Sequence, residues 1–123
     1  MKILLLEDDD VDAESFKRTL DKLGLEYYLK ICKTCEDARH AIVEFDFDFA
    51  VLDQNVPDGT GLELIPLLYP VPSIILTGNS DKMIAVEAFK NGAVDFLEKS
   101  DNGRHLDVLP SILGRVQANA GIV

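Results

Sequence analysis

The chain has 123 residues, 47% hydrophobic and 28% charged, with 22 acidic against 12 basic side chains and a formal net charge of −10. That size and mixture suit one globular domain with its own core, and exclude a disordered or disulfide-stapled peptide. The acidic excess repels nucleic-acid phosphates, so no direct binding of DNA or RNA is expected, whereas converging carboxylates would attract cations.

The opening run Ile3-Leu4-Leu5-Leu6 stops at Glu7-Asp8-Asp9-Asp10. It falls short of the ~7–15 apolar residues of a secretory leader and the ~20 of a membrane span, so no membrane role and a cytoplasmic location are expected. The same run reads as a first strand buried on both faces. Ala13, Phe16, Leu20 and Leu23 form one apolar stripe on a helix from Val11 to Leu23, with Gly24 at its C-terminal cap. Tyr27–Cys32 is rich in strand formers. Ala38, Ile42 and Phe45 lie at helical spacing and predict a second helix. Phe49-Ala50-Val51-Leu52 is a third strand ending at Asp53, and the loop after it is punctuated by Pro57 and Gly59.

A short helix from Gly61 to about Leu68 is expected to stop before Pro70 and Pro72. Ser73–Leu76 is a fourth strand, followed by Thr77-Gly78-Asn79. Ile84, Ala85, Ala88 and Phe89 stripe a fourth helix that Asn91-Gly92 ends, and Val94–Leu97 gives a fifth strand before Lys99. Leu106, Leu109, Leu113 and Val116 stripe the last helix, whose first turn is expected to hold Pro110.

Strand and helix thus alternate five times, the pattern of an α/β, doubly wound five-stranded parallel sheet covered by helices on both faces. Sites in such sheets lie beyond the carboxyl ends of the strands. Glu7, Asp8 and Asp9, then Asp53, Thr77 and Lys99 should therefore meet along one rim. Several carboxylates in a small volume repel one another, and a hard divalent cation such as Mg²⁺ relieves this with oxygen ligands. An ammonium and a hydroxyl beside one Asp add what phosphoryl transfer requires, neutralisation of the equatorial oxygens around a carboxylate nucleophile.

These residues resemble the receiver family of two-component signalling, over essentially the whole chain. Ile3-Leu4-Leu5-Leu6-Glu7-Asp8-Asp9 is similar to the family's first strand and acidic pair, placed at Glu7 and Asp8. Phe49–Asp53 resembles the phosphoacceptor strand, with Pro57 and Gly61 at the spacing of the following loop. Ile74-Ile75-Leu76-Thr77-Gly78 resembles the switch Thr/Ser strand, and Asp95-Phe96-Leu97-Glu98-Lys99 the fifth strand with its aromatic and lysine.

The resemblance implies a flavodoxin-like (β/α)5 fold with strand order 2-1-3-4-5, and one receiver domain over residues 1–123. It implies a response-regulator switch rather than an enzyme acting on other substrates. Asp53 would take a phosphoryl group from a histidine kinase or phosphotransfer protein. Mg²⁺ would be held by Asp8, Asp53 and the Asn55 carbonyl, with Glu7 acting through water. Thr77 and Lys99 would hold the phosphate, and Phe96 would turn inward as Thr77 moves. That would alter the surface of the fourth helix, fifth strand and fifth helix, toward an effector or a second copy.

Two positions depart from the pattern: Ser100 stands where the family usually has proline, often cis, and Gln54 where an apolar residue is common. Ser100 bears on how firmly Lys99 is held, and Gln54 on phosphate lifetime.

Three other readings remain open on sequence. An aspartyl-nucleophile phosphatase would resemble D-x-D at the nucleophile, but the second position here is Asn55. Cys32-Lys33-Thr34-Cys35 has the spacing of a redox pair, without the aromatic-Cys-Gly-Pro-Cys context. A receiver-shaped adaptor that is never phosphorylated is the third. His40 and His105 are expected at the surface, since neither belongs to a spaced zinc set.

Overall fold

The computed structural model describes residues 1–78 and 82–119, the side chain of Asn119 excepted. Asn79, expected to close the fourth strand, lies outside the described residues. Five strands form one sheet: β1 (Lys2–Leu6), β2 (Tyr28–Cys32), β3 (Phe49–Asp53), β4 (Ser73–Thr77) and β5 (Asp95–Glu98). All pairings are parallel and the order is β2-β1-β3-β4-β5, as the resemblance implied. The helices are α1 (Asp10–Lys22), α2 (Cys35–Glu44), α3 (Ile65–Leu68), α4 (Lys82–Lys90) and α5 (Leu109–Asn119).

Strand alternation builds two cores from the same five residues of each inner strand. Ile3, Leu5, Phe49, Val51, Ile74 and Leu76 face Ala13, Phe16 and Leu20 of α1 and Leu109, Ile112, Leu113 and Val116 of α5. Leu4, Leu6, Ala50, Leu52 and Ile75 face Ala38 and Ala41 of α2, Ile65 and Leu68 of α3, and Ala88 of α4. β1, β3 and β4 are therefore buried on both sides, which is why they read as unbroken apolar runs.

The helix ends follow from local chemistry. Asp9 caps α1 by accepting from the Val11 and Asp12 N–H groups, and Gly24 leaves the helix at φ 67°, a left-handed turn that glycine takes without penalty. Thr34 caps α2 through the Asp37 N–H. Asp58, from the loop after β3, caps it a second time by accepting from the Cys35 and Glu36 N–H groups at 2.7 and 3.0 Å. Pro110 lies in the first turn of α5, after a 3-10 turn at Arg104–Val108.

Several expectations need correction. The helix expected from Gly61 to about Leu68 keeps those bounds, but its first half is a 3-10 turn (Gly61–Leu64) running into the one-turn α3, because Pro66 at the start of α3 withholds an N–H. Phe45 stands one residue past the end of α2 as its cap and still packs with Ile42 against the core, while Ala38 and Ala41 are the fully buried positions of the stripe. Phe89 is 52% exposed and not part of the α4 core stripe; only Ala88 of that helix is fully covered. The small α4 contact with a four-residue edge strand cannot cover a wider stripe. His40 is exposed as expected, but His105 is half-buried and hydrogen-bonded.

Candidate functional site

Glu7, Asp53 and Lys99 continue the alternation of Ile3/Leu5, Phe49/Val51 and Leu97, so each leaves its strand toward the α1/α5 face. Their side chains meet as the sequence predicted. Lys99 Nζ donates to Glu7 Oε1 at 2.6 Å and to Asp53 Oδ2 at 2.9 Å. It also reaches Asp12 Oδ2 at 3.1 Å. The sequence reading missed Asp12, although its position in the first turn of α1, just beyond the acidic run, was a usable signal.

Glu7 and Asp53 expose only 2% and 5% of their surface. Burial pushes the Glu7 carboxyl up to about 7; the Lys99 ammonium opposes the rise and Asp53 adds to it. The flanking carboxylates raise the Lys99 ammonium above its ordinary range against its own burial. The ion pairs are thus short and poorly hydrated, and one ammonium stands among three acids.

Asp8 completes the acidic set from the exposed side. One oxygen each from Glu7, Asp8 and Asp53 lies within 4.8 Å of the others. A divalent cation binds oxygen at about 2.0–2.6 Å and keeps some of its waters, so one ion could sit among all three, with direct and water-mediated contacts. The donor set is entirely carboxylate at this point, which suits a hard cation and not a soft one.

The loop after β3 is tied to the same point. The Asn55 N–H donates to Asp53 Oδ1 at 3.1 Å, fixing the first loop turn against the carboxylate. Gln54 is buried, and its side-chain oxygen accepts from the Leu62 N–H at 3.2 Å, so its amide braces the 3-10 turn. Gly61 sits against the strand end: a Cβ there would lie 2.7 Å from the Asp53 carbonyl oxygen. Asp58 and an Arg39–Glu63 pair at 2.9 Å anchor the far half of the loop to α2.

Thr77 is fully buried at the end of β4, and its carbonyl accepts from the Lys99 N–H at 2.7 Å. The space where a Gly78 side chain would stand is open. Phe96 is half-buried against the α2–α4 core and pairs in register with Ile75, two residues before Thr77. Thr77 and Phe96 therefore share one face of adjacent strands.

Cys32 and Cys35 are both buried free thiols. Burial raises Cys32 to about 11, and burial with Asp58 and Glu63 raises Cys35, overriding the helix N-terminus that would have lowered it. The Cys35 Sγ donates to the Thr60 carbonyl at 3.5 Å, another strut of the loop. This environment opposes thiolate chemistry.

Comparison with known proteins agrees with this geometry. The profile of the response regulator receiver domain matches residues 3–108. The chain is 34% identical over 105 residues to the C4-dicarboxylate transport transcriptional regulatory protein DctD of Pseudomonas aeruginosa, covering 80% of this chain and 22% of that protein. It is 34% identical over 101 residues to the transcriptional regulatory protein FixJ of Bradyrhizobium diazoefficiens, covering 79% and 48%. It thus spans half or less of either regulator. Among solved structures, a CheY-like receiver domain protein from Methanospirillum hungatei superposes with a TM-score of 0.83 at 27% identity, covering 98% of this chain and 96% of that one. A Burkholderia pseudomallei response regulator, solved with a phosphorylated aspartic acid, a calcium ion and citrate, gives 0.76 at 28% identity, covering 98% and 68%.

Proposed function

The chain belongs to the response regulator receiver domain family, and we propose that Asp53 is its phosphoacceptor, charged by a histidine kinase or phosphotransfer protein. The observation that carries the reading is the single ammonium of Lys99 held between two buried carboxylates at the ends of β1 and β3. Structural ion pairs seldom concentrate excess negative charge out of water, because each uncompensated carboxylate costs several kcal/mol by order of magnitude. A site that binds a cation and then a phosphoryl group explains the excess.

Glu7, Asp8, Asp53 and the backbone carbonyl of Asn55 would hold Mg²⁺, with Glu7 acting through water. When bound, the ion neutralises phosphoryl oxygens. An Asp53 carboxylate oxygen attacks the phosphorus of phosphohistidine, the N–P bond breaks, and the freed imidazole takes up a proton. The product is an acyl phosphate. Lys99 shifts from carboxylate pairing to a phosphate oxygen, and the Thr77 hydroxyl donates to another. Because Thr77 and Phe96 lie on one face, movement of Thr77 frees space for the ring and reshapes the surface of α4, β5 and α5. That surface carries exposed Met83, Val86 and Phe89, which suit an effector or a second copy.

On this reading the protein is a signalling switch that catalyses only its own phosphorylation and dephosphorylation. Residues 1–123 act as one domain, and the two free thiols fit a reducing, cytoplasmic compartment. No described helix is long and apolar enough to cross a membrane.

Incubation with Mg²⁺ and acetyl phosphate, followed by intact mass measurement, tests the assignment. One acid-stable, base-labile phosphate should appear and should be lost in Asp53→Asn and with chelator. An adduct that persists in Asp53→Asn moves the acceptor elsewhere.

A further inference from the structure

The segment after Lys99 closes on itself. The Ser100 N–H donates to His105 Nδ1 at 3.0 Å, and the His105 N–H donates to Ser100 Oγ at 3.0 Å. Ser100 Oγ also lies 3.1 Å from Nδ1. Gly103 bends the chain at φ 75° and donates to the Ser100 carbonyl at 3.1 Å. The peptide that begins at the Lys99 carbonyl is thus held by the imidazole. Tyr69–Pro70 is the only cis bond among the described residues, so the Lys99–Ser100 peptide is trans.

A ring nitrogen that accepts from a peptide N–H carries no proton, so the imidazole here must be neutral with its proton on Nε2. The ring is half-buried beside a cavity of about 170 Å³ that Glu7, Asp12, Lys99 and Asp101 also line. Lys99 stands on the other side of the same peptide, its ammonium directed to Glu7, Asp12 and Asp53.

We propose that His105 is a positioning residue for Lys99: its unprotonated Nδ1 locks the turn that fixes where the ammonium sits, and charging the ring releases it. This rests on the phosphoryl transfer at Asp53 proposed above and adds a pH-dependent control to it. Protonation sets an N–H of the ring against the Ser100 N–H, which repels and opens the turn. Burial and the Lys99 ammonium hold the imidazole below its ordinary range, while Asp12 from α1 and Asp107 from the turn before α5 oppose them. Glu7 and Asp101 face the same cavity. The turn is therefore closed at neutral pH and opens on acidification.

The test compares wild type, His105→Asn and His105→Phe. Asn offers an oxygen near the Nδ1 position that cannot take a proton, and Phe keeps the bulk without an acceptor. Phosphorylation by acetyl phosphate at saturating Mg²⁺ is measured across the acid-to-neutral range. The wild-type rate should match His105→Asn at neutral pH and fall several-fold below it on acidification. His105→Phe should be slower throughout by about tenfold, short of the ~100-fold that a 1 Å misplacement can cost. A constant ratio of wild type to His105→Asn, or a His105→Phe as fast as wild type at neutral pH, overturns the proposal. If wild type takes no phosphate at all, the assignment of Asp53 fails. The turn is then judged by NMR: the Ser100 amide and Lys99 Nζ signals must titrate with the imidazole, and static signals overturn it.

Discussion

Replacing Lys99 with methionine keeps most of the side-chain volume and removes the charge. The Glu7 and Asp53 partners lie at 2.6 and 2.9 Å, with side chains only 2% and 7% exposed. Breaking such a buried pair by removing one partner costs roughly 3–5 kcal/mol, because the remaining charge stays out of water. Glu7 limits this loss, since its carboxyl already stands at about 7 beside Lys99 and rises further once the ammonium that opposes the rise is gone. The folded-state pKa is raised, so the stability gained from protonating Glu7 is full below its unfolded value and is lost as pH rises through about 7. Lys99→Met should therefore lose about 3 kcal/mol near pH 5.5, where only the Asp53 pair is missed, and about 1 kcal/mol more near pH 8, where Glu7 is charged beside Lys99 in the wild type. Urea denaturation at both pH values, with and without millimolar Mg²⁺, measures it. Mg²⁺ should recover most of the loss at the higher pH. A loss independent of both pH and Mg²⁺ would mean that Lys99 stabilises by packing alone, and the electrostatic account of the site would be wrong.

Two glycines separate contact from openness. Gly61→Ala forces a Cβ to 2.7 Å from the Asp53 carbonyl, so it should cost about 1–3 kcal/mol and weaken Mg²⁺ binding, whereas Gly78→Ala meets nothing within 4 Å and should stay within about 0.5 kcal/mol of wild type; equal effects in denaturation and metal titration would contradict this. The buried thiols with raised pKa should react with a disulfide reagent in urea but hardly in the folded protein. Fast stoichiometric labelling of the native state would reopen a redox reading of Cys32 and Cys35.

The fold was legible because its strongest signals are physical necessities. A strand buried on both faces must be apolar throughout, and Ile3–Leu6, Phe49–Leu52 and Ser73–Leu76 are the strands flanked on both sides by others. The edges were less legible for the same reason. β2 and β5 are only partly covered, so composition constrained them less, and Phe89 looked like core because helical spacing cannot tell how wide a stripe the sheet will cover.

The site divides along the same line. Residues at strand ends were found because the parallel sheet dictates where those ends lie, and Glu7, Asp53, Thr77 and Lys99 are all at or just beyond such ends. Asp12, Asp58 and His105 were not found because each acts from another element. Asp12 reaches in from α1, Asp58 reaches from the β3 loop to the amides of α2, and His105 folds back on Ser100. Their partners are set by loop geometry, which side-chain periodicity does not encode. All three brace a group at or next to one that the strand rule did locate: Asp12 the Lys99 ammonium, Asp58 the loop that follows Asp53, and His105 the peptide after Lys99. The strands thus fix which groups meet, while these less legible contacts fix how closely they are held.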